Sequence, residues 1–170
     1  MATTRTYKIR PATRDDLPAI SGIYNWAVNQ TFATIDSEPL DAEEIDNWWD
    51  KHASHNIVLV AVEDSDDGVV GWARLLPWKQ RGVDVVEDLV YVDPVHHGRG
   101  IARELLTRLI EEARSTTECE TIIATVATDN RPGMELHQKL GFEPLGTIKD
   151  GAYKFGRWMD LTLLQRRLRD

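Results

Sequence analysis

The sequence predicts an α/β fold, with a mixed central sheet of about seven strands flanked by about four helices. Runs of β-branched residues such as IVLVAVE and TIIATV alternate with segments whose apolar residues recur every three or four positions. In chain order these segments read βαα, β, β, β, α, β, α, β, β. The 170 residues show no repeat or low-complexity stretch. We therefore expect one domain over residues 1–170, long enough to bury its own core.

The first third of the chain carries a short strand and two helices. Tyr7 to Arg10 is strand-like, and Thr13 or Asp15 is a suitable cap for a helix that follows. Asp41 with Glu44 resembles a capping box that opens a second helix. The segment between these helices, Thr31 to Pro39, has no clear period. It either connects the helices or lines a binding site.

The rest of the chain supplies the remaining strands. An acidic turn, DSDDG, joins two strand-like runs into a hairpin, and a valine-rich segment after them is predicted to be a central strand. A proline and a glycine mark the ends of the last helix, and two strands close the chain. The segments are Ile57–Glu63, Val69–Trp78, Val83–Val92, Thr121–Val126, a helix between Pro132 and Gly141, and strands near Thr147 and Trp158–Leu164.

Composition narrows the class of protein. A formal net charge of −8 argues against a nucleic-acid partner, because neutralising phosphates requires basic surface. Neither an apolar run of membrane-spanning length nor a signal-peptide core is present, so we expect no membrane partner. The single cysteine, Cys119, fits a reducing compartment. We expect a cytoplasmic protein.

The stretch VYVDPVHHGRGIARELLTRLIEEA, Val90 to Ala113, runs from a strand through a glycine-containing turn into an amphipathic helix. A helix that starts this way leaves its first N–H groups unpaired, and its dipole adds partial positive charge there. Gly98, Gly100 and Ala102 would let an anion such as a pyrophosphate approach the backbone. The same pattern also occurs in plain structural turns. A Gly-Lys-Ser/Thr phosphate loop and a full GxGxxG dinucleotide motif are absent from the sequence.

Three ordered segments carry a resemblance to a known family. HHGRGIA resembles the Q/R-x-x-G-x-G/A acetyl-CoA signature of the GNAT superfamily of N-acetyltransferases, and DNRPGMELHQKLGF resembles its N-x-x-A-x-x-x-Y-x-x-x-G-F segment. KFGRWMDLTLLQ is similar to the phosphinothricin and methionine sulfoximine acetyltransferase branch. His97 stands where Gln or Arg is usual, and His137 where most of the superfamily has Tyr. The resemblance implies the GNAT fold, acetyl-CoA as co-substrate and a homodimer.

The residues expected to bind acetyl-CoA lie in the strand, the turn and the last helix. Asn130 is assigned by the resemblance to the pantetheine arm, although a turn-forming asparagine would look the same. Lys139 either meets the CoA phosphates or is a solvated cation. The complete set is Val90, Tyr91, Val92, Gly98, Arg99, Gly100, Ile101, Ala102, Arg103, Asn130 and Lys139.

Glu87 is the predicted general base. It lies within a valine-rich strand, on the same face as Val85, Leu89 and Tyr91, and burial there would raise its pKa. The phosphinothricin branch has a glutamate at the matching place. A structural ion pair is the competing interpretation for Glu87, and Asp88, which points to the opposite face, is given no role.

Acetyl transfer also requires oxyanion donors and a proton for the leaving thiolate. Backbone N–H groups between Leu89 and Val92 could be the donors if the strand separates from its neighbour. His137 is assigned to the proton by its match to the superfamily's tyrosine. Without that match, a structural histidine is the more common outcome.

A small amino-acid acceptor would bring a carboxylate, phosphinate or sulfoximine group that needs a local cation. Arg74 on the preceding strand, and Lys79 and Arg81 in the PWKQRG turn, are the nearest candidates, and a solvated turn is equally compatible. Acetyl transfer requires no metal, and His52, His55 and His96 lack ligand spacing. The expected enzyme acetylates a small amino acid or analogue. The alternatives are protein N-terminal or polyamine acetylation, or a CoA-binding module without turnover.

Overall fold

The computed structural model describes residues 6–50, 57–78 and 85–169. Within these residues, seven strands and four α-helices follow one another in the predicted order. They are β1 (Tyr7–Pro11), α1 (Leu17–Gln30), α2 (Ala42–Asp50), β2 (Val58–Glu63), β3 (Val69–Pro77), β4 (Val85–Val92), α3 (Ile101–Thr116), β5 (Thr121–Ala127), α4 (Arg131–Lys139), β6 (Glu143–Lys154) and β7 (Arg157–Arg167). Single 3-10 turns at Arg14–Asp16 and Pro94–His96 precede α1 and α3.

All seven strands form one sheet in the order β1-β2-β3-β4-β5-β7-β6. Neighbours are antiparallel except β4 and β5, which are parallel and pair only from Val85–Thr121 to Glu87–Ile123. Beyond Glu87 both strands continue, yet neither is paired with the other. The facing edges of β4 and β5 therefore diverge into an opening, and its closed end lies at Glu87.

Helices cover both faces of the sheet. On one face, α1 and α2 pack against β2, β3 and β4, and the predicted α1 stripe from Leu17 to Ala27 is buried. On the other face, the buried side of α3 from Leu105 to Ile110 packs against the same strands and β5. We call these the α1–α2 face and the α3–α4 face. Because side chains alternate along β4, its odd and even positions reach different helices.

Local sequence signals explain where the helices begin. The backbone N–H of Asp41 donates to Glu44 Oε2 and that of Glu44 donates to Asp41 Oδ1, each at 2.8 Å, so the predicted capping box is confirmed. Asp16 Oδ2 accepts from the backbone N–H of Thr13 at 2.7 Å, which closes the turn before α1. Of the two predicted caps, Thr13 is the N-cap of this 3-10 turn, whereas the N-cap of α1 itself is Asp16, which was not predicted.

The last two strands are longer than predicted and form a hairpin at the edge of the sheet. Among the described strands, β6 pairs only with β7, and most of its residues are exposed. Large apolar side chains are exposed along it and at its tip, where Phe155 has a positive φ of 48°. They are Leu145, Ile148, Tyr153, Phe155 and Trp158. An edge this long and apolar is unusual for an uncovered surface.

Candidate active site

Strand β4 directs backbone donors to the opening. The Trp78 N–H donates to the Val85 carbonyl at 3.1 Å and the Asp93 N–H to the Val70 carbonyl at 2.9 Å. Odd positions of β4 therefore exchange hydrogen bonds with β3, and the N–H groups of Val90 and Val92 point toward the opening. From the sequence, these N–H groups were expected to be available only if the strand separates from its neighbour. Strand β4 does separate from β5 beyond Glu87.

The turn before α3 offers space for an anion. Gly98 and Gly100 have φ angles of 77° and 79°, which favour glycine, and nothing lies within 4 Å of a Cβ added at either position. Gly100 is the N-cap of α3 and supplies no side-chain cap. The first N–H groups of the helix, on Ile101, Ala102 and Arg103, therefore have no side-chain cap. This arrangement fits a pyrophosphate.

Some of the other residues expected to bind acetyl-CoA already have partners within the protein, and others are exposed. Arg99 Nη1 lies 3.1 Å from Glu63 Oε1, and with Arg103 it lines a groove between α3 and β1. Asn130 caps α4, since its Oδ1 accepts from the Gly133 N–H at 3.1 Å. Lys139 is exposed, with its Nζ 3.7 Å from Glu135 Oε2. Contacts of these residues with acetyl-CoA stay predictions.

Glu87 lies on the α1–α2 face at the closed end of the opening. Its side chain is half-buried, and burial raises the pKa of its carboxyl group. A hydrogen bond with Thr125 of β5 opposes this increase, and the charge of Asp88 adds to it. A carboxylate with a raised pKa at this place is suited to accept a proton from an amine.

Arg74 lies on the same face, one strand away, and is 1% exposed. Its guanidinium carbon lies 4.1 Å from the ring centroid of Trp48. Nε and Nη2 are buried without a hydrogen-bond partner in the described part of the chain, and burial lowers the pKa of Arg74 to about 10. The other predicted substrate residue, Arg81, and nearby Lys79 lie outside the described residues.

The loop between α1 and α2 lies beside this site. The sequence had left open whether this loop lines a binding site or only connects the two helices. Thr34 is buried, its carbonyl accepts from Lys154 Nζ at 2.9 Å, and its Oγ1 lies 3.2 Å from the Tyr24 hydroxyl. The Tyr24 hydroxyl also donates to Asp36. These groups adjoin Tyr91, whose pKa is raised first by burial and then by Tyr24 and Asp36, whereas a hydrogen bond with Thr34 lowers it. Lys154 stands in the KFGRW segment, which was the only sequence signal for it.

His137 and Asp88 form a buried pair on the α3–α4 face. His137 Nε2 lies 2.9 Å from Asp88 Oδ2, and His137 Nδ1 lies 2.7 Å from the Gly133 carbonyl oxygen. No role was predicted for Asp88, yet its side chain is 1% exposed and paired with the predicted acid. Both ring nitrogens of His137 are engaged within the protein, so proton donation by His137 stays a prediction that requires Nε2 to leave Asp88.

In residues 6–50, 57–78 and 85–169, no group of three His, Cys, Asp or Glu side chains is arranged to hold a metal ion. Over the same ranges, no helix has the length and apolar character needed to cross a membrane.

Comparison with known proteins agrees with this geometry. The model of the acetyltransferase (GNAT) family matches residues 20–142. The chain belongs to this family. The predicted resemblance, the fold class and the acetyltransferase activity are therefore confirmed, whereas the individual site residues stay predictions.

Relatives of similar length support the same assignment. The chain is 36% identical over 164 residues to the L-methionine sulfoximine/L-methionine sulfone acetyltransferase of Pseudomonas aeruginosa, covering 94% of each chain. It is 37% identical over 165 residues to the L-amino acid N-acyltransferase MnaT of Escherichia coli, covering 94% of this chain and 93% of that one. The structure of yncA from Salmonella typhimurium with its cofactor acetyl-CoA superimposes with a TM-score of 0.91 at 34% identity, covering 98% and 96%.

Proposed function

We propose that this acetyltransferase uses acetyl-CoA to acetylate the amino group of a free amino acid or amino-acid analogue. The observation that carries the proposal is that the buried guanidinium of Arg74, on the same face as Glu87, has no hydrogen-bond partner for Nε and Nη2 among the described residues. A buried cation without a counterion is costly, and a bidentate anion would relieve that cost. The acceptor's carboxylate, or its phosphinate or sulfoximine equivalent, binds Arg74 while its amine lies at Glu87.

The relatives' substrates agree with this acceptor class. Methionine sulfoximine and methionine sulfone, named for the Pseudomonas enzyme, are amino-acid analogues, and MnaT is named for L-amino acids. A polyamine or a peptide N-terminus offers no α-carboxylate next to the reacting amine. Nε and Nη2 of Arg74 would then remain without a hydrogen-bond partner from the described residues or from the acceptor.

Acetyl-CoA supplies the acetyl group as a thioester. Glu87 removes the proton from the acceptor's ammonium group, directly or through water. The N–H groups of Val90 and Val92, which point into the opening, stabilise negative charge on the carbonyl oxygen. His137 is the candidate proton donor to the leaving thiolate. A covalent acetyl-cysteine route finds little support, because Cys119 is buried and its Sγ contacts the Thr121 carbonyl at 3.3 Å.

The test is thiol release from acetyl-CoA with matched acceptors. Free amino acids, their amides, short peptides and polyamines are compared with a reaction lacking acceptor. We expect turnover with free amino acids or sulfoximine analogues, and a large loss with the amides, because amidation removes the charge that Arg74 would bind. Equal rates for acids and amides would favour a protein N-terminus as the acceptor. Turnover with polyamines alone would favour polyamine acetylation.

We also propose that the enzyme is a cytoplasmic homodimer. The exposed apolar side chains of the β6–β7 hairpin support a protein partner, and the acidic, cysteine-poor composition fits a reducing compartment. Light scattering at micromolar concentration tests the dimer. Trp158→Glu, at a position 60% exposed, should yield monomer without unfolding the chain. A monomeric parent protein would refute the dimer.

A further inference from the structure

Asp88 on β4 and His137 on α4 form a link between these two elements, beside the closed end of the opening. Asp88 directly follows Glu87, the last β4 residue that pairs with β5. Its side chain crosses the α3–α4 face to His137 on α4, and both side chains are at least nine-tenths buried. The link therefore joins β4 to α4 where the backbone ladder between β4 and β5 ends.

The hydrogen bonds determine how many protons this pair holds. The Gly133 carbonyl can only accept, so His137 Nδ1 must carry a hydrogen. A second proton must lie between Nε2 and Asp88 Oδ2, because two lone pairs would repel each other at 2.9 Å. Asp88 Oδ1 has no partner in the described part of the chain. His137 is therefore the partner that compensates this buried carboxylate.

We propose that Asp88 is a positioning residue for acetyl transfer, holding the His137 ring and its shared proton at the closed end of the opening. The proposal rests on the acetyl transfer described above, but on no particular acceptor. When His137 acts as the acid, its Nε2–H turns from Asp88 Oδ2 to the sulfur as the C–S bond of the tetrahedral intermediate breaks. The Nε2–H bond then breaks, its electron pair stays on Nε2, and an S–H bond forms on the departing thiolate. The pair then regains a proton from water, which receives the protons released by the amine.

The surroundings of His137 make Asp88 the dominant charge. Burial alone lowers the pKa of His137, but the hydrogen bond and charge of Asp88 and the bond to Gly133 raise it above its ordinary value. Strand β5 carries no titratable side chain, and the Phe142 ring lies edge-on at 5.0 Å. The charged groups on α4 itself are exposed at Arg131, Glu135 and Lys139, and Arg166 of β7 donates to the carbonyl of Leu140 after α4.

The role predicts a shift in pH dependence as well as a loss of rate. Turnover needs Glu87 deprotonated, which gives an acid limb, and His137 protonated, which gives an alkaline limb. The charge of Asp88 raises the pKa of both groups. Asp88→Asn keeps the size and one acceptor oxygen but removes the charge. Both limbs should therefore move to lower pH, and the alkaline one should move further because Asp88 is hydrogen-bonded to His137.

The experiment measures kcat against pH for the parent, Asp88→Asn and Glu135→Gln, with whichever amine proves to be accepted. Glu135→Gln removes the same charge from exposed α4 surface and should leave both limbs in place. The Michaelis constant for acetyl-CoA should change less than kcat in Asp88→Asn. A lower kcat with both limbs unmoved would overturn the proposal, since a purely structural role predicts that result.

An NMR titration of the His137 ring provides a second readout that needs neither turnover nor a folded variant. In the parent protein we expect both ring nitrogens to be protonated at neutral pH, with deprotonation above the ordinary histidine pKa. A ring that is neutral at pH 7 would also overturn the proposal. Failure of the amino-acid acceptor would leave this titration unchanged, so the two proposals fail separately.

Discussion

Replacing Arg74 with methionine should make the free enzyme more stable. A fall in the pKa of Arg74 from 12.5 to about 10 means that burying the cation costs about 3 kcal/mol at neutral pH, since one pKa unit is about 1.4 kcal/mol. The contact with Trp48 returns about 1–2 kcal/mol. Methionine fills similar space without charge. We expect the free energy of unfolding to rise by about 1–2 kcal/mol, measured by urea denaturation without ligand.

The same substitution should impair the reaction. An interaction between a buried cation and the acceptor's carboxylate is worth about 2–5 kcal/mol when one partner is removed. For Arg74→Met we therefore expect kcat/KM for a free amino acid to fall by about 30-fold or more, with the Michaelis constant for acetyl-CoA unchanged. The ratio of activity on the free acid to activity on its amide should fall toward one.

Arg10→Met is the matched control. The Arg10 guanidinium bonds both carboxylate oxygens of Asp16, at 2.8 and 2.9 Å, so its removal breaks a satisfied pair. This variant should be less stable than the parent protein while keeping the parental preference for free acids. If Arg74→Met is also destabilised and its acid-to-amide ratio is parental, Arg74 is structural and the carboxylate assignment is wrong.

Other predictions address the base, the turn and the buried pair. Glu87→Gln should lower kcat by about two to four orders of magnitude with acetyl-CoA binding retained; near-parental turnover at neutral pH would make Glu87 structural. Gly100→Val should abolish the rise in Tm that acetyl-CoA causes, because a side chain fills the space at φ 79°, whereas Gly146→Val, with an ordinary φ and open surroundings, should keep it. The raised pKa of His137 means that its stabilising contribution is complete below the unfolded-state pKa and lost as pH rises through the folded-state pKa. Urea midpoints should therefore fall over that interval in the parent protein but not in Asp88→Asn, and parallel curves would contradict the pairing.

Local patterns were sufficient to predict the fold. The order of strands and helices, the capping box at Asp41 and the glycine turn at Gly98 and Gly100 depend on residues close together in sequence. Glu87 could be singled out because a carboxylate within a valine-rich strand requires an explanation. The family resemblance then indicated acetyl-CoA, which periodicity alone could not do.

Contacts between distant residues could not be predicted in this way. Asp88 and His137 are 49 positions apart, and no local signal distinguishes a paired aspartate from a solvated one. The stacking of Arg74 on Trp48 and the bond from Lys154 to Thr34 likewise depend on how separate elements pack. Side-chain alternation assigned Asp88 to the opposite face from Glu87, but it could not indicate that α4 places an imidazole there.

The register of β4 decides which of its two adjacent carboxylates meets which partner. A slip of one residue would exchange the faces, leaving Asp88 near Arg74 and Glu87 near His137. Arg74 would then have a counterion, and an acceptor carboxylate would have to compete with it. The β3–β4 ladder prevents this, because it pairs without a shift from Gly71–Val92 to Pro77–Val86.

Each face of the sheet adds a constraint on this ladder. Trp72 and Tyr91 are directly paired, with ring centroids 5.2 Å apart on the α1–α2 face. On the α3–α4 face, a Cβ added at Gly71 would lie 3.2 Å from side-chain atoms of Ile101 and Leu105, so the start of α3 packs closely on β3 there. The strand is thereby held between an aromatic pair and a helix. Among the described residues this restraint leaves Arg74 without a counterion and, on our proposal, available to the substrate.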